Sequence, residues 1–305
     1  MQVEAGTLSV VMTIVDGGAA LRRSLDALMR QQDPPPLEVI VPYDESVSDI
    51  ETIRLDYANV RFVALGPIDP VHSNASAAGQ HELYDRRRAA GLAAARGDLI
   101  AILEDRGVPR SDWARTVVRL HRQPYGVIGG AIEFGTGTLL NWAFYACDFG
   151  RYGLPIASGP ASWVSDVNVS YKRKALVSVR DLWNDRFCEP IVHWALKKRG
   201  ETLYMSGEMV VDHHRPPVTF AVLLPERFQW GRLFGHIRAM HMTWPARLAY
   251  IALWPVLPGL LFARHARTQY RKGHFRRFIT AAPAIALLLI TWTTGEVWGV
   301  VTNRS

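Results

Sequence analysis

The stretch that decides the fold is LIAILEDR, which occupies residues 99–106. Its five apolar residues are too few for a typical helix and predict a strand that is buried on both faces. Two carboxylates and a guanidinium follow at once, and Gly107 and Pro109 then predict a turn. Ligands of open α/β sheets bind where strands give way to loops, and carboxylates there suit a divalent cation that holds a phosphate. Solvated charges at an ordinary turn are the alternative.

The composition predicts a folded protein with one large domain or two modest ones. Of the 305 residues, 49% are apolar and 21% are charged, which allows a sizeable core and excludes wholesale disorder. The two cysteines, Cys147 and Cys188, form neither a disulfide framework nor a zinc motif, so they indicate a reducing compartment. No secretory signal is expected at the amino terminus, because it lacks the basic, apolar and small-residue succession.

Positive charge is concentrated in the last part of the chain. From Glu226 onward the sequence has 11 Lys and Arg residues against 2 Asp and Glu residues, a balance of +9. Since the whole chain carries +7, the part before Glu226 carries −2. This distribution argues against a nucleic-acid-binding surface. It favours a mildly acidic soluble domain held at an anionic membrane, where each basic residue contributes about 1 kcal/mol.

The first part of the chain alternates between apolar strands and amphipathic helices. Three apolar runs before residue 99 predict strands at 8–15, 37–41 and 61–65. Strands that alternate with helices at this spacing predict a parallel sheet with crossover helices. Later elements are predicted as strands at 127–132, 167–171, 202–205 and 209–211 and as a helix at 189–198. We therefore predict an α/β domain over residues 1–215.

The chain changes character after residue 215. Residues 216–243 have an amphipathic pattern, which predicts a helix that either lies in a membrane interface or docks on the soluble domain. Residues 244–305 hold two long apolar stretches, at 248–263 and 278–295. Because a spanning helix needs about 20 largely apolar residues, only the second stretch is long enough, and only if it extends toward Val301.

The apolar C-terminal helices are expected to associate with the membrane. Pro255 and Pro258 interrupt the first stretch, and six Lys and Arg residues separate it from the second. Basic loops stay on the cytoplasmic side, so two complete crossings would place this loop opposite a cytoplasmic soluble domain. We therefore predict that the first stretch is re-entrant or interfacial and that the second one spans. A membrane hairpin and a buried hairpin of a soluble protein are the alternatives.

Acidic residues follow the predicted parallel strands. Asp16 and Asp44 follow the first two strands, and Asp105 follows the strand quoted above. The carboxyl ends of parallel strands meet at one edge of a sheet, so these carboxylates are expected to converge there. Arg88 lies on the helix that precedes the third acid and would bring a positive charge to the same edge.

This succession resembles the family 2 glycosyltransferases, which have the GT-A fold, a Rossmann-like and mostly parallel sheet with flanking helices. Residues 9–13 are similar to the family's first strand, and the segment EVIV before Asp44 is similar to the strand before its Asp-Asp-Gly-Ser turn. The segment RAAGLAAARGD, residues 88–98, is similar to its Arg-Asn-x-Gly helix. Residues 104–106 then stand at the Asp-x-Asp position, and the resemblance extends from residue 8 to residue 214.

The resemblance implies a nucleotide-sugar donor and gives roles to residues of this sequence. Asp44 matches the position that hydrogen-bonds the base, and Asp16 lies at the nucleotide-side turn after the first strand. Arg88 matches a basic residue near the uridine or the diphosphate, and Glu104 begins the motif that binds ribose and metal. Asn168 matches a segment near donor and acceptor, although ending a strand would also explain it.

A divalent cation, Mn²⁺ or Mg²⁺, is the cofactor that the resemblance implies. Its ligands would be Asp105 and either His214 or His213, which match a family histidine that completes the metal shell. A cation suits this chemistry because negative charge develops on the diphosphate as it leaves.

Several positions depart from the family pattern. Arg106 replaces the third acid of the motif, so it either contacts a phosphate directly or marks weakened metal binding. Thr13 replaces the usual proline, and Tyr43 replaces one acid of the base-binding turn. Pro190 follows Glu189 where the family has a Glu-Asp pair. These departures leave a degenerate, inactive membrane scaffold or nucleotide-binding subunit as the alternative function.

Glu189 is the predicted catalytic base, because the family's base lies at the Glu-Asp pair and Glu189 is the only acid left there. An inverting transfer needs one carboxylate to take the proton of the acceptor hydroxyl as the anomeric carbon is attacked. Pro190 suits the first helical turn, which predicts Glu189 at the helix cap; a capping role alone is the alternative. His193 is expected to be a packing residue, and Arg86 and Arg87 are expected to be solvated.

The sequence thus predicts an inverting, metal-dependent glycosyltransferase at the cell membrane, with its catalytic domain in the cytoplasm. The expected donor is a nucleotide diphosphate sugar, and the expected acceptor is a glycan or lipid-linked glycan of the cell envelope. Membrane lipids are expected partners and nucleic acid is not. A nucleotidyltransferase would share the parallel sheet, but the segment after the first strand lacks the lysine expected of that class.

Overall fold

The computed structural model describes residues 6–68 and 77–302. In this part of the chain nine strands form one sheet. The strands are β1 (Leu8–Thr13), β2 (Leu37–Tyr43), β3 (Val60–Ala64), β4 (Leu99–Glu104), β5 (Gly107–Pro109), β6 (Val127–Phe134), β7 (Gly159–Pro160), β8 (Asn168–Lys172) and β9 (Leu203–His213). The helices are α1 (Gly18–Met29), α2 (Ile50–Asp56), α3 (Ala77–Ala94), α4 (Trp113–Leu120), α5 (Leu139–Asp148), α6 (Arg173–Ser178), α7 (Glu189–Lys198), α8 (Phe220–Met240), α9 (Trp244–Ala252), α10 (Leu257–Arg271) and α11 (Phe275–Thr302).

The described residues divide into two compact units. The first draws on residues 6–68, 82–135 and 152–214 and contains the sheet. The second draws on residues 77–81, 136–151 and 215–302 and is helical, with α5 and α8 to α11.

The sheet of the first unit has the strand order β3-β2-β1-β4-β8-β6-β9-β5, and β7 pairs with β9. The strands β3, β2, β1 and β4 are parallel, whereas β8 is antiparallel to both of its neighbours. β1 and β4 pair from Leu8 with Leu99 to Thr13 with Glu104, so their carboxyl ends lie side by side. The predicted α/β architecture with parallel crossovers is confirmed for these strands.

The two central strands form the core of this unit. All six residues of β1 are buried, and so are the first five of β4, as expected of parallel strands that are covered on both faces. Gly91 lets α3 approach β1 closely, since a Cβ at this position would overlap the side chain of Val11. The buried core therefore holds the backbone at the carboxyl ends of β1 and β4 in place, and with it the polar residues that follow these strands.

A short strand replaces the turn that was predicted after the motif. Gly107–Pro109 forms β5, in which Gly107 pairs with His213 of β9. Proline is tolerated there because β5 lies at the edge of the sheet. Similarly, the two strands predicted at 202–205 and 209–211 are one strand, β9, whose register against β6 shifts at a bulge.

Two long helices of the second unit, α8 and α11, pack through glycines. Gly231 and Gly235 lie one turn apart on α8, and Gly295 and Gly299 lie one turn apart on α11. A Cβ at any of these four positions would overlap the backbone of the facing helix. Such backbone-to-backbone packing needs small residues and is common between helices in membranes.

Buried charges in the second unit are paired. Arg227 pairs with Asp148, and its guanidinium lies 4.4 Å from the ring centroid of Trp292. Glu296 of α11 is 4% exposed and accepts a 2.9 Å hydrogen bond from Arg238 of α8. Arg227 and Glu296, the buried member of each pair, thus have an opposite charge that offsets the cost of their burial.

Among the described helices, α11 alone is by itself long and apolar enough to cross a membrane. It has 28 residues, and its most apolar window has a mean hydropathy of 1.6. The proline-containing stretch before it forms α9 and α10, which meet at a bend of 48°. A bent pair of this kind is compatible with a broken span or with a re-entrant loop.

Candidate active site

The turn after β1 is built around Asp105. Gly17 has φ of 69°, a left-handed conformation that favours glycine, and its N–H donates a 2.7 Å hydrogen bond to Oδ2 of Asp105. The N–H of Asp16 donates to the same oxygen at 3.1 Å. Asp105 is fully buried, and burial raises its pKa to about 6. The charge of Asp16 adds to this rise, whereas the hydrogen bond from Gly17 opposes it. Its carboxylate therefore holds the turn in place.

Arg106 and Asp16 form a two-pronged ion pair at the same turn. Nε of Arg106 donates to one oxygen of Asp16 at 2.8 Å, and Nη2 donates to the other at 2.5 Å. Burial alone would lower the pKa of Arg106, but the hydrogen-bonded Asp16 raises it. The two side chains are about a fifth exposed, at 19% and 22%. Such a planar, partly exposed guanidinium is well suited to a phosphate.

Asp44, at the end of β2, is held by Arg87 of α3. Nε of Arg87 donates to Oδ2 of Asp44 at 2.7 Å, while Nη2 donates to the hydroxyl of Ser46 at 2.8 Å. Burial would raise the pKa of Asp44, but the hydrogen bonds from Arg87 and Ser46 hold it below its usual range. Nη1 of Arg87 also donates to the carbonyl of Ile14, which begins the turn that Asp105 holds. Asp44 and Asp105 thus flank one turn.

Arg88 lies at the centre of a second cluster. Its Nη2 contacts Oε1 of Glu104 at 2.7 Å and Oδ2 of Asp166 at 2.9 Å, and Asp85 lies 3.6 Å from Nη1. Burial raises the pKa of Glu104; the charge of Arg88 opposes this and that of Asp166 adds to it. Arg88 is therefore bound to acids on its own helix, on β4 and before β8, and not to Asp44.

Glu189 is the first residue of α7, one position later than the predicted cap, which is Cys188. Its Oε2 accepts a hydrogen bond from the N–H of Asp166 at 3.4 Å, and its side chain is 18% exposed. Glu189 thus adjoins the Arg88 cluster, because Asp166 contacts both. The structure brings the predicted base and the predicted motif into one neighbourhood.

Asn168 cross-links the core of the sheet. Its Oδ1 accepts from Nε1 of Trp113 at 3.0 Å, and its Nδ2 donates to the carbonyls of Ala131 and Met209, both at 2.9 Å. The residue is fully buried. We therefore treat Asn168 as a structural residue and not as a donor-binding one.

The predicted metal ligands, Asp105, His213 and His214, do not form a metal site in this structure. Across residues 6–68 and 77–302, no group of three or more His, Cys, Asp or Glu side chains is arranged to hold a metal ion. The ring of His214 packs on Gly135, where an added Cβ would lie 2.5 Å from it. Asp105 is used by the turn, and Arg106 puts a positive charge where the third acid is expected. The donor set does not fit a divalent cation.

Three residues of the site escaped the sequence analysis. The prediction that Arg87 is solvated is wrong, since it is 4% exposed and holds Asp44. For Asp166 the sequence offers one indication, which is an acid directly before a predicted strand. Tyr84 gave no signal; burial raises its pKa to about 12, and the charges of Arg106 and Glu104 act on its hydroxyl, which indicates that it lies beside the motif.

Comparisons with known proteins give the family and the fold of the chain. The sequence model described as Glycosyl transferase family 2 matches residues 9–176, which is more than half of the chain. A search of curated proteins found no match. Among solved structures, the chain is similar to the mannosyltransferase PcManGT from Pyrobaculum calidifontis in complex with GDP-Man and Mn²⁺, with a TM-score of 0.53 and 14% identity. The alignment covers 96% of this chain and 87% of that one.

The matched residues begin in β1 and end in α6, and they include Asp44, Arg88 and residues 104–106. The structural similarity establishes the GT-A fold. The chain is thus a glycosyltransferase that belongs to glycosyl transferase family 2.

Proposed function

We propose that this chain transfers a sugar from a nucleotide diphosphate sugar to an acceptor hydroxyl, with inversion at the anomeric carbon. One observation carries the proposal. Arg87 ties Asp44 to the turn after β1, and Asp105 holds the same turn from β4. Three parallel strands therefore present one polar edge, which is where ligands bind in such sheets.

The nucleotide would lie against Asp44 and Asp16. Asp44 is kept charged by Arg87, so its carboxylate is ready to accept hydrogen bonds from a base. The similar mannosyltransferase was solved with a nucleotide sugar, GDP-Man, which supports this class of donor. A panel of donors identifies the base and the sugar.

The diphosphate would be neutralised by guanidinium groups. We assign this charge to arginine and not to Mn²⁺ or Mg²⁺, because both oxygens of Asp105 accept hydrogen bonds from the turn and a guanidinium occupies the third motif position. Arg106 stands at the third motif position with a rigid, two-pronged orientation set by Asp16. We propose that Arg106 donates hydrogen bonds to the diphosphate and stabilises the charge that develops as it leaves.

Glu189 would act as the general base. The acceptor oxygen forms a bond to the anomeric carbon while the bond from that carbon to the phosphate oxygen breaks. The electron pair of the broken bond leaves with the diphosphate. The acceptor proton passes to the carboxylate of Glu189. Asp166 supports this role, because its N–H fixes one oxygen of Glu189 while its own carboxylate pairs with Arg88.

The acceptor would be a glycan or a lipid-linked glycan at the cytoplasmic face of the membrane. The exposed apolar surface of α11 supports this location: only 39% of its most apolar window is buried, and Ile279, Ile290 and Trp298 are about half exposed. A soluble protein would cover such a surface. The basic residues between the two apolar stretches favour the cytoplasmic side.

A donor panel tests the proposal. The full chain in polyprenyl-phosphate-containing vesicles is incubated with UDP-glucose, UDP-N-acetylglucosamine, GDP-mannose and dTDP-rhamnose, and released nucleoside diphosphate is measured. We expect release from at least one donor, and a product whose anomeric configuration is inverted by NMR. Retained configuration would contradict the mechanism. Nucleotide binding without release from any donor would favour the inactive scaffold.

A further inference from the structure

A line of three side chains leads from Glu189 into the core of the first unit. Nδ1 of His193 lies 3.2 Å from Oε1 of Glu189, and Nε2 of the same ring lies 2.8 Å from the hydroxyl of Tyr171. His193 and Tyr171 are both fully buried, whereas Glu189 is partly exposed. The line therefore has one end at the proposed reaction site and the other inside the protein.

Two elements fix this line. Glu189 and His193 are four residues apart on α7, so they share one face of the helix. Tyr171 comes from β8, which pairs with β4, the strand that carries the motif. The ring of His193 thus connects the start of α7 to the central part of the sheet.

The hydrogen-bond chemistry of the line has only one favourable direction. An ionised carboxylate only accepts hydrogen bonds, so a ring nitrogen that faces it must carry a hydrogen. That nitrogen is Nδ1, whether the ring is neutral or charged. With a neutral ring, Nε2 is then an acceptor, and the hydroxyl of Tyr171 donates to it. Tyr171 thereby selects the tautomer that carries its hydrogen on Nδ1, the ring nitrogen 3.2 Å from Glu189.

The other oxygen of Glu189 is held by a backbone hydrogen bond. Oε2 accepts from the N–H of Asp166, and the charges of Arg88 and Asp166 act on the same region. Oε2 is therefore held by the backbone before β8, and Oε1 lies 3.2 Å from Nδ1 of His193, a buried ring nitrogen that makes no hydrogen bond to any residue that the structure describes. A small shift of the ring would let Nδ1–H donate to Oε1, and the carboxylate would then present a defined lone pair to the acceptor hydroxyl.

We propose that His193, oriented by Tyr171, is a positioning residue that aims the carboxylate of Glu189 at the acceptor hydroxyl. This inference rests on the proposed function, in which Glu189 is the base. It goes beyond the sequence-based expectation that His193 is a packing residue, since its Nε2 is hydrogen-bonded to Tyr171 and its Nδ1 lies against a carboxylate.

A double-substitution cycle tests the proposal on the donor that the wild type cleaves best in the panel above. The variants are Glu189→Gln, His193→Phe and the pair together, with kcat, the KM for the donor and nucleoside diphosphate affinity measured for each. We expect His193→Phe to lower kcat at least about tenfold and to leave donor KM and nucleotide affinity within about twofold. In the Glu189→Gln background the same substitution should change kcat by less than about twofold.

Two further variants protect the test against misfolding. Tyr171→Phe removes only the hydroxyl at the inner end of the line and should lower kcat by roughly threefold at unchanged KM. His121→Phe is the matched control, because His121 is also buried and bonded to a hydroxyl, that of Ser170 at 2.9 Å. It should leave the kcat of the folded protein unchanged.

The outcomes separate the two claims. Equal loss of kcat from His193→Phe with and without Glu189 would overturn the positioning role while leaving the proposed function intact. Equal loss of kcat from His121→Phe and His193→Phe would overturn it as well. Absence of turnover in the wild type with every donor would overturn the proposed function, and the positioning role with it.

Discussion

Arg87 donates a 2.7 Å hydrogen bond from Nε to Oδ2 of Asp44, and both side chains are almost completely buried. This pair joins α3 to the end of β2, and the same guanidinium reaches the carbonyl of Ile14 beyond β1. One side chain therefore sets the relative position of two strand ends that form the proposed nucleotide site.

Removal of Arg87 should destabilise the first unit. Arg87→Met leaves the carboxylate of Asp44 buried without its partner, so we expect a loss of about 3–5 kcal/mol in the free energy of unfolding. Thermal and urea unfolding of the full chain in detergent would measure it. Arg30→Met is the control, because Arg30 pairs with Asp26 at the surface. Equal stability of the two variants would show that the buried pair is not needed.

Arg106 should govern diphosphate binding without a divalent cation. Hydrogen bonds to charged groups contribute about 1.5–3 kcal/mol, so Arg106→Gln should weaken UDP or GDP binding by roughly tenfold to a hundredfold. Isothermal titration calorimetry with and without EDTA measures both effects. Arg119→Gln, at an exposed pair with Glu208, should bind as the wild type does. Loss of wild-type binding in EDTA would restore the metal hypothesis.

The glycine contact between α8 and α11 should tolerate no side chain. In Gly235→Ala the new Cβ would overlap the carbonyl oxygen of Glu296, so the helices must separate, at a cost of about 1–3 kcal/mol. Gly259→Ala on α10 meets no atom within 4 Å and should be neutral or stabilising by up to about 1 kcal/mol. The unfolding temperatures of both variants are measured in the same detergent. A shift of the same sign in both would contradict the close contact at Gly235.

Acid should destabilise the protein through His121. Burial, with help from the charge of Lys172, lowers the pKa of His121 from 6.5 to about 4. The unfolded chain therefore binds a proton at a higher pH than the folded one. This contribution to stability is full above the unfolded value, falls as the pH drops from 6.5 toward 4, and amounts to about 3 kcal/mol.

The pH effect is measured by urea unfolding at pH 7.5 and pH 4.5. His121→Phe cannot take up the proton, so its free energy of unfolding should decline less than that of the wild type between these two values. Equal declines would show that His121 does not account for the loss.

The hydrophobic pattern of the sequence was sufficient to predict the strand and the helix that carry the proposed site. The strand predicted from residue 99 and the helix predicted at 189–198 are present as β4 and α7. Both have strong local signals. The strand is a run of apolar residues that ends in charges, and the helix has a proline in its first turn and a glycine after its end.

The choice between neighbouring arginines could not be made from the sequence. Arg87 and Arg88 are both buried, because α3 is covered on more than one side and so has no single polar face. Which of them holds Asp44 depends on the distance between α3 and the sheet, which Gly91 sets through its contact with Val11. Asp166 likewise becomes a site residue only through β8, whose pairing with β4 is a tertiary relationship.

The central claim is that Glu189 takes a proton during glycosyl transfer, and single-turnover kinetics tests it most directly. Wild type and Glu189→Gln are each mixed with the cleaved donor and acceptor vesicles, and nucleoside diphosphate release is followed with time. We predict that Glu189→Gln binds the nucleotide within about twofold of the wild type but releases it at least about a hundredfold more slowly. Release at the wild-type rate would contradict the account.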